Sequence, residues 1–376
     1  MAAGLLVLLA IGAAVLPSAL WACGLAAVLA LAGVVLLRGD RWRTGALLAA
    51  AFTVSLALLD VFAGLLTPAP IGQGLVKTTD PKWWPPPDPV LGFRPRPNSE
   101  VVATATFGGV LLYRHTYHFD ADAARVTPRA PAGADTYLFL GDSFVFGQGL
   151  VDEQSLAAQF ARLNEDKLHA VNLGVPGYGP NHLVRAFEAG LLDRYAGQRV
   201  KAVVTWIIPA HLARVTGDGS WLGSSPRYQL ENGVPRYTGS FDAYRWTHPL
   251  AGLKHLLGEQ FRFVDAIGKR QRQQEQIDLF VALMARLQTL ARDKFGAPLI
   301  VVYSWPDEAT QGGYADMERL VPVLGALRKL GIPLLSVDNL TSAINVSQLI
   351  IPHDGHPTAL VYELIARDLK RRLNLP

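Results

Sequence analysis

The sequence predicts an α/β fold, a parallel sheet covered by helices on both faces, placed behind about three membrane-spanning helices. Three observations carry this expectation. Half of the 376 residues are hydrophobic and only 18% are charged, which excludes disordered, fibrous and coiled-coil architectures. The apolar excess is concentrated in residues 1–66, with no charged side chain before Arg38. From residue 135 onward, short apolar runs alternate with segments of helical periodicity, as in parallel strands joined by crossover helices.

Charge and cysteine usage narrow the function classes. The 35 basic and 31 acidic residues leave a net charge of +4, too small and too dispersed for a nucleic-acid partner. The single cysteine, Cys23, excludes an internal disulfide and a multi-cysteine metal site. His115, His118, His248 and His255 show no ligand spacing, and no glycine-rich loop opens a helix in a nucleotide-binding way. No metal and no cofactor is expected.

The membrane helices are expected at about 2–16, 19–37 and 45–66. One helix over the first 37 residues would span roughly 55 Å against about 30 Å of hydrocarbon, and Pro17-Ser18 mark the turn that divides it. A secretory signal peptide fits poorly, because a basic leader is missing and the apolar stretch is too long. Arg38, Arg41 and Arg43 put their loop in the cytoplasm by the positive-inside tendency. The third helix then carries the rest of the chain across. The expectation is a multi-pass protein of the cell membrane, with the bilayer as a partner and its catalytic domain periplasmic or extracellular. Asp60 is read as interfacial or as a helix–helix contact.

Residues 67–131 read as a proline-rich linker followed by a small β segment. The runs Thr67-Pro-Ala-Pro and Lys82-Trp-Trp-Pro-Pro-Pro-Asp-Pro favour extended, semi-rigid chain. Trp83 and Trp84 suit either the membrane interface or a cover over the catalytic domain. Val101–Phe107 and Val110–Phe119 are expected to form a hairpin.

The domain 132–376 carries five expected strands, at Tyr137–Leu140, Ala170–Leu173, Ala202–Ile208, Leu299–Tyr303 and Pro333–Val337. Helical spacing links Ile277, Phe280, Met284, Leu287 and Leu290, and again Val361, Leu364, Ile365 and Leu369. Residues 215–270 break the rhythm, with a hairpin turn at Asn232-Gly233. They read as an insertion over the carboxyl edge of the sheet, where open α/β sheets bind ligands.

Two short blocks carry chemistry. Gly141-Asp142-Ser143 follows the first strand directly, which places a serine at the carboxyl end of the sheet. Asp354-Gly-His356 precedes the last helix. A serine that attacks at neutral pH needs a base, and the base an orienting acid; Asp354 and His356 can sit on one loop and serve a distant serine. Asp338, at the end of the fifth strand, is a rival acid.

With these blocks, the chain resembles the SGNH (GDSL-type) hydrolase superfamily, as a membrane-anchored bacterial member. Gly141-Asp142-Ser143 matches its first block, Asn172-Leu-Gly-Val-Pro-Gly-Tyr-Gly179 looks like its second, and Asp354-Gly-His356 matches its last. The run Asp88-Pro-Val-Leu-Gly-Phe93 is similar to the lead-in of membrane-anchored members. The resemblance implies a flavodoxin-like sandwich with a five-stranded parallel sheet. It implies Ser143 as nucleophile, His356 as general base and then acid, Asp354 as its orienter, and the N–H groups of Ser143 and Gly177 as oxyanion hole, with Gly174 as fallback. The third block departs: Ala210 stands where the family has an asparagine, and the loss of one oxyanion donor can cost about 3–4 kcal/mol. His211 and Asn181 are the candidate replacements.

The expected function is a serine esterase or O-acyltransferase that works through an acyl-serine on acyl esters, by analogy acetyl esters of envelope glycans. A transferase of this kind would need an acyl-donor partner in the membrane. The alternative is a non-catalytic glycan-binding or assembly protein that keeps the fold.

Overall fold

The computed structural model describes residues 19–37, 39–66, 74–82, 84–260, 269–303 and 319–375. The chain divides into two compact units, residues 1–70 with 245–272 and residues 71–244 with 273–376.

In the first unit, helices α1 (Ala19–Leu36) and α2 (Asp40–Leu66) pack against one another. Their contact side is made of small residues: Cys23, Ala27, Ala46, Ala50 and Thr53 are buried. Val28, Leu29, Leu48, Phe52, Leu58 and Phe62 point outward and are exposed. A helix pair that packs in water turns its large apolar residues inward; small residues at the contact and large ones outside suit helices surrounded by lipid. Asp60, read as interfacial or a helix contact, is buried.

Two expectations for this region change. The third helix starts at Asp40 rather than near 45, because the amides of Trp42 and Arg43 already donate to the Gly39 carbonyl at 3.1 and 3.2 Å. Arg41 and Arg43 therefore lie in the first turn of α2, not in a loop. Among the described residues, one helix is long and apolar enough to cross a membrane, Asp40–Phe62 with 23 residues, about 34 Å of rise. The apolar part of α1, Cys23–Leu36, is shorter, and the helix expected at 2–16 lies outside the described residues.

The second unit opens with an antiparallel sheet of β1 (Leu75–Asp80), β2 (Ser99–Phe107) and β3 (Val110–Phe119) in the order β1-β2-β3. The expected hairpin is β2–β3. The strand β1 comes from the stretch read as linker: proline governs the local reading, but Val76-Lys-Thr-Thr79 finds a free edge on β2 and pairs with it from Leu75↔Phe107 to Asp80↔Val102. Trp84 packs on Tyr117, Phe119 and Phe146 at ring distances of 5.6–6.4 Å, so it covers this unit. Trp83 lies outside the described residues.

The central sheet contains β4 (Thr136–Gly141), β5 (His169–Gly174), β6 (Val200–Ile207), β9 (Leu299–Tyr303) and β10 (Leu334–Ser336); β7 (Pro226–Glu231) and β8 (Val234–Ser240) form a separate hairpin. All neighbours in the five-stranded sheet are parallel, in the order β10-β9-β6-β4-β5. This is the flavodoxin-like order, with its switch point between β4 and β6. Alternation sends Leu138 and Leu140 to one face, against Leu183, Phe187, Phe280, Leu287 and Val323. Tyr137 and Phe139 go to the other, against Phe160, Ile365 and Leu369.

The insertion is composite. Asn232 and Gly233 have φ of +52° and +79°, as a tight hairpin turn requires. The helices Phe241–Thr247 and Pro249–Gln260 follow, and residues 245–272 sort with the first unit. The three-stranded sheet is bridged to the central one by Arg125, which pairs with Phe119 on one side and Asn172 on the other.

Candidate active site

The end of β4 dictates where the serine stands. Asp142 caps a one-turn helix that begins at Ser143, its carboxylate accepting from the Phe144 amide at 2.9 Å. Ser143 is thereby the first residue of a helix, with its own N–H outside the helical hydrogen bonds. From 213 residues away in sequence, Nε2 of His356 lies 2.8 Å from Ser143 Oγ, and Nδ1 contacts Asp354 Oδ1. The Asp354 loop is closed by hydrogen bonds from the Asp354 and Gly355 amides to the Ile351 carbonyl, 3.1 Å each, and from the Ile351 amide to the His356 carbonyl, 2.8 Å. The structure therefore brings together the three residues expected to form a triad. Both ring nitrogens of His356 are taken, which leaves Asp338 no nitrogen to orient.

Asp354 has two further partners that the sequence did not suggest. Lys77 Nζ donates to Oδ1 at 3.0 Å, and the Tyr113 hydroxyl donates to Oδ2 at 2.8 Å. Burial would raise the Asp354 pKa; the hydrogen bond and charge of His356, with Lys77 beside it, override burial and hold the carboxyl below the usual range. Burial, and then the Asp354 charge, raise the Tyr113 phenol.

The second block supplies a tight loop against the serine helix. A side chain at Gly174 would place its Cβ 2.3 Å from the Phe146 amide nitrogen, so only glycine allows that approach. The buried Asn172 accepts from the Gly174 amide at 3.1 Å and donates to the Phe146 carbonyl at 3.2 Å. That bond commits the Gly174 N–H. Gly177 has φ of +92°, a conformation that glycine tolerates best. Among the described residues, neither the Ser143 nor the Gly177 amide has a hydrogen-bond partner. The indole Nε1 of Trp221, a half-exposed residue of the insertion, stands 3.0 Å from where a Gly177 Cβ would sit.

The two side chains expected to replace the missing asparagine have other polar groups beside them. Nε2 of His211 lies 3.0 Å from Asp142 Oδ2, and Nδ1 accepts from the Ile208 amide at 3.4 Å. Asn181 donates through Nδ2 to the Pro226 carbonyl at 2.7 Å. Ala210 is exposed at the first position of a short helix, Ala210–Arg214. The sequence pattern could not reveal this, since each polar group sits at the right chain position but in a rotamer set by packing.

Asp142 anchors a buried cluster. Arg214 Nη1 donates to Asp142 Oδ2 at 2.8 Å and to the Tyr178 carbonyl at 2.7 Å, which ties the second-block loop to the serine helix. Burial would raise the Asp142 pKa, but His211, Arg214 and the Phe144 amide hold it below the usual range. Burial lowers His211, against the pull of Asp142. Burial likewise takes the fully enclosed His182, which accepts from the Gly179 amide, down to about 3. Both histidines are therefore neutral in the fold, while the unfolded chain protonates them near 6.5. Unfolding takes up protons, so stability is full above about 6.5 and falls as pH drops toward 3. The melting temperature is expected to decline between pH 7.5 and 5, before the carboxylates titrate, and His182→Gln should flatten that slope.

Arg125 is a third residue, after Lys77 and Tyr113, that sequence reasoning missed. Its side chain is fully buried, and its donors reach Asp152 Oδ1 and the carbonyls of Phe146, Gly147 and Leu150 at 2.6–2.8 Å. The guanidinium lies 4.4 Å from the Tyr117 ring centroid and 4.5 Å from that of Phe146. It fixes the loop that follows Ser143. No motif or periodicity marks this position.

No family model and no curated protein matches the chain. Solved structures do. A carbohydrate acetylesterase family member from Sinorhizobium meliloti matches with 14% identity and a TM-score of 0.38, over 64% of this chain and 100% of that one. A lipase/acylhydrolase from Enterococcus faecalis matches with 14% identity and a TM-score of 0.37, over 63% and 96%. A member of the lipolytic protein G-D-S-L family from Veillonella parvula matches with 12% identity and a TM-score of 0.36, over 63% and 97%. The chain is similar in fold to solved members of the lipolytic G-D-S-L family.

Proposed function

We propose that this protein is a serine esterase or O-acyltransferase of the SGNH type, tethered to the membrane. The observation that carries the reading is the aligned chain Ser143 Oγ, His356, Asp354. In the reaction, His356 Nε2 takes the Ser143 proton while Oγ attacks the ester carbonyl. The Ser143 and Gly177 amides donate to the oxyanion that forms. The protonated His356 gives its proton to the leaving alcohol, and an acyl-serine remains. A second hydroxyl, from water or a sugar, loses its proton to His356 and takes the acyl group. Water makes the protein an esterase and a sugar hydroxyl makes it a transferase, which then draws on an acyl donor from a membrane partner.

Envelope glycans are the substrates we favour. The Trp221 indole, half-exposed, brings its N–H edge beside Gly177, and an exposed aromatic ring at that place is suited to the C–H face of a sugar ring. Membrane tethering is supported by the outward apolar surface of α1 and α2 and by Trp246 and Leu250 of the same unit, 87% and 82% exposed. A multi-pass topology with the catalytic unit outside the cytoplasm follows from the arginines at the start of α2. The opposing reading, a glycan-binding protein without turnover, rests on Ala210.

Two experiments test the proposal. Detergent-solubilised full-length protein is expected to react with a fluorophosphonate and to turn over p-nitrophenyl acetate; inertness toward both favours the binding protein. A reporter enzyme that works only after export, fused after Pro376, is expected to be active. A cytoplasmic signal would reject the proposed orientation.

A further inference from the structure

The three-stranded sheet reaches into the triad, and the way it does so is set by its register. Lys77 on β1 and Tyr113 on β3 both pair with Ala105 on β2. They stand in one row across the sheet, and the fully buried Ala105 between them is small enough not to separate them. Both side chains end on Asp354, one on each carboxylate oxygen. Two positions further along β2, Phe107 stacks on His353 at 3.8 Å and 5°, so the same sheet also grips the residue before Asp354. Lys77 lies eleven residues beyond Leu66, the end of α2.

We propose that Lys77 and Tyr113 are positioning residues of the triad: the first strand after the membrane helices clamps the acid, and the active site is complete only with this strand in place. The inference rests on the triad reading. It assigns to the appended sheet a function that neither the fold nor the triad requires.

Asp354 has two tasks. It has to keep the His356 proton on Nδ1 and stabilise the imidazolium without taking that proton. Its side chain is fully buried, so an oxygen without a donor would be costly and its orientation loose. Tyr113 satisfies Oδ2, and Lys77 places a positive charge at Oδ1. The groups that touch the Asp354–His356 pair are Lys77 from β1, Tyr113 from β3 and Ser143; Tyr117 from β3 and Tyr362 from the last helix lie around it, His115 stacks on Tyr113, and Arg125 sits behind Tyr117. Burial raises all three phenols, which keeps them neutral at working pH. Lys77 is the cation in contact with the pair. It opposes a second positive charge on the imidazole.

The sign of the test follows. In Lys77→Met the imidazolium loses an opposing charge, and the His356 pKa rises. The acidic limb of kcat/KM is expected to move up by about one pH unit, a shift typical of one nearby charge. The kcat should fall about tenfold with KM little changed, because an Asp354 carboxylate without the Lys77 contact holds the His356 ring less firmly in line with Ser143. Lys77→Arg should restore the limb. Tyr113→Phe should move it in the same direction by less, because the carboxylate becomes more basic when a donor is removed.

A substrate-free readout separates this inference from the proposed function. The His356 ring titration can be followed by NMR in full-length protein with isotope-labelled histidine, assigned with His356→Gln. A raised His356 pKa in Lys77→Met, reversed in Lys77→Arg, supports the clamp even if the wild type turns over no ester. Unchanged titrations in both Lys77→Met and Tyr113→Phe overturn it, even if the wild type is an active esterase. Loss of melting temperature in Lys77→Met without any change in the His356 titration also overturns it, since that is a structural role alone.

Discussion

Ser143→Ala is expected to lower the turnover of an activated acetyl ester by about 10⁶-fold and to abolish fluorophosphonate labelling. The magnitude is that of removing the nucleophile from a serine triad. His356→Ala should cost nearly as much, and the double variant no more than either single one, because the groups act as a unit. Asp354→Asn should cost about 10⁴-fold, by favouring the wrong His356 tautomer. Asp338 is not expected to rescue that variant. The Asp354 loop is closed on itself by three backbone hydrogen bonds, and the amide still occupies the place beside Nδ1. Residual rates should reflect the two oxyanion amides and substrate binding. The measurement is single-turnover kinetics with probe labelling; a Ser143→Ala protein that still labels would place the nucleophile elsewhere.

Arg125→Met should be the most destabilising single substitution in the second unit. It removes a guanidinium that serves three carbonyls and the Asp152 carboxylate. Methionine fills much of the volume between Tyr117 and Phe146 but donates no hydrogen bond. Breaking a buried pair from one side typically costs about 3–5 kcal/mol, because the remaining charge is stranded. For a unit of this size that corresponds to a fall of roughly 10 °C in melting temperature. Arg125→Lys should rescue little, since one ammonium cannot reproduce a planar fork. Activity should fall with stability, because the freed carbonyls belong to the loop after Ser143. Thermal unfolding of the solubilised protein checks the first effect, and kcat below the melting transition checks the second. A variant within about 1 °C of wild type would show that the loop holds itself.

The parts of this protein that can be read in its sequence share one property: their pattern is short-range. Strand and helix periodicity places all five strands of the central sheet within one or two residues of their ends. Gly141-Asp142-Ser143 and Asp354-Gly-His356 each announce a loop, and each loop holds its reactive side chain through local bonds, the Asp142 cap in one and the Ile351 turn in the other. Asn232-Gly233 marks its own hairpin because the turn needs two positive φ values.

What the sequence misplaced depends on partners that are distant along the chain. The proline-rich stretch reads as linker, yet β1 pairs because β2 offers an edge 22 to 32 residues away. His211 and Asn181 stand where a donor is needed, but Asp142 and the Pro226 carbonyl claim them. Arg125, Lys77 and Tyr113 carry no motif, since their meaning lies entirely in the carbonyls and the carboxylate they reach. The sequence by itself determined the fold class and the two loops that carry Ser143, Asp354 and His356, because backbone propensity and loop chemistry act over a few residues. Only the tertiary structure decided which polar groups meet: a buried donor or acceptor must find a partner wherever the packed chain brings one, and that requirement leaves no trace at the level of neighbouring residues.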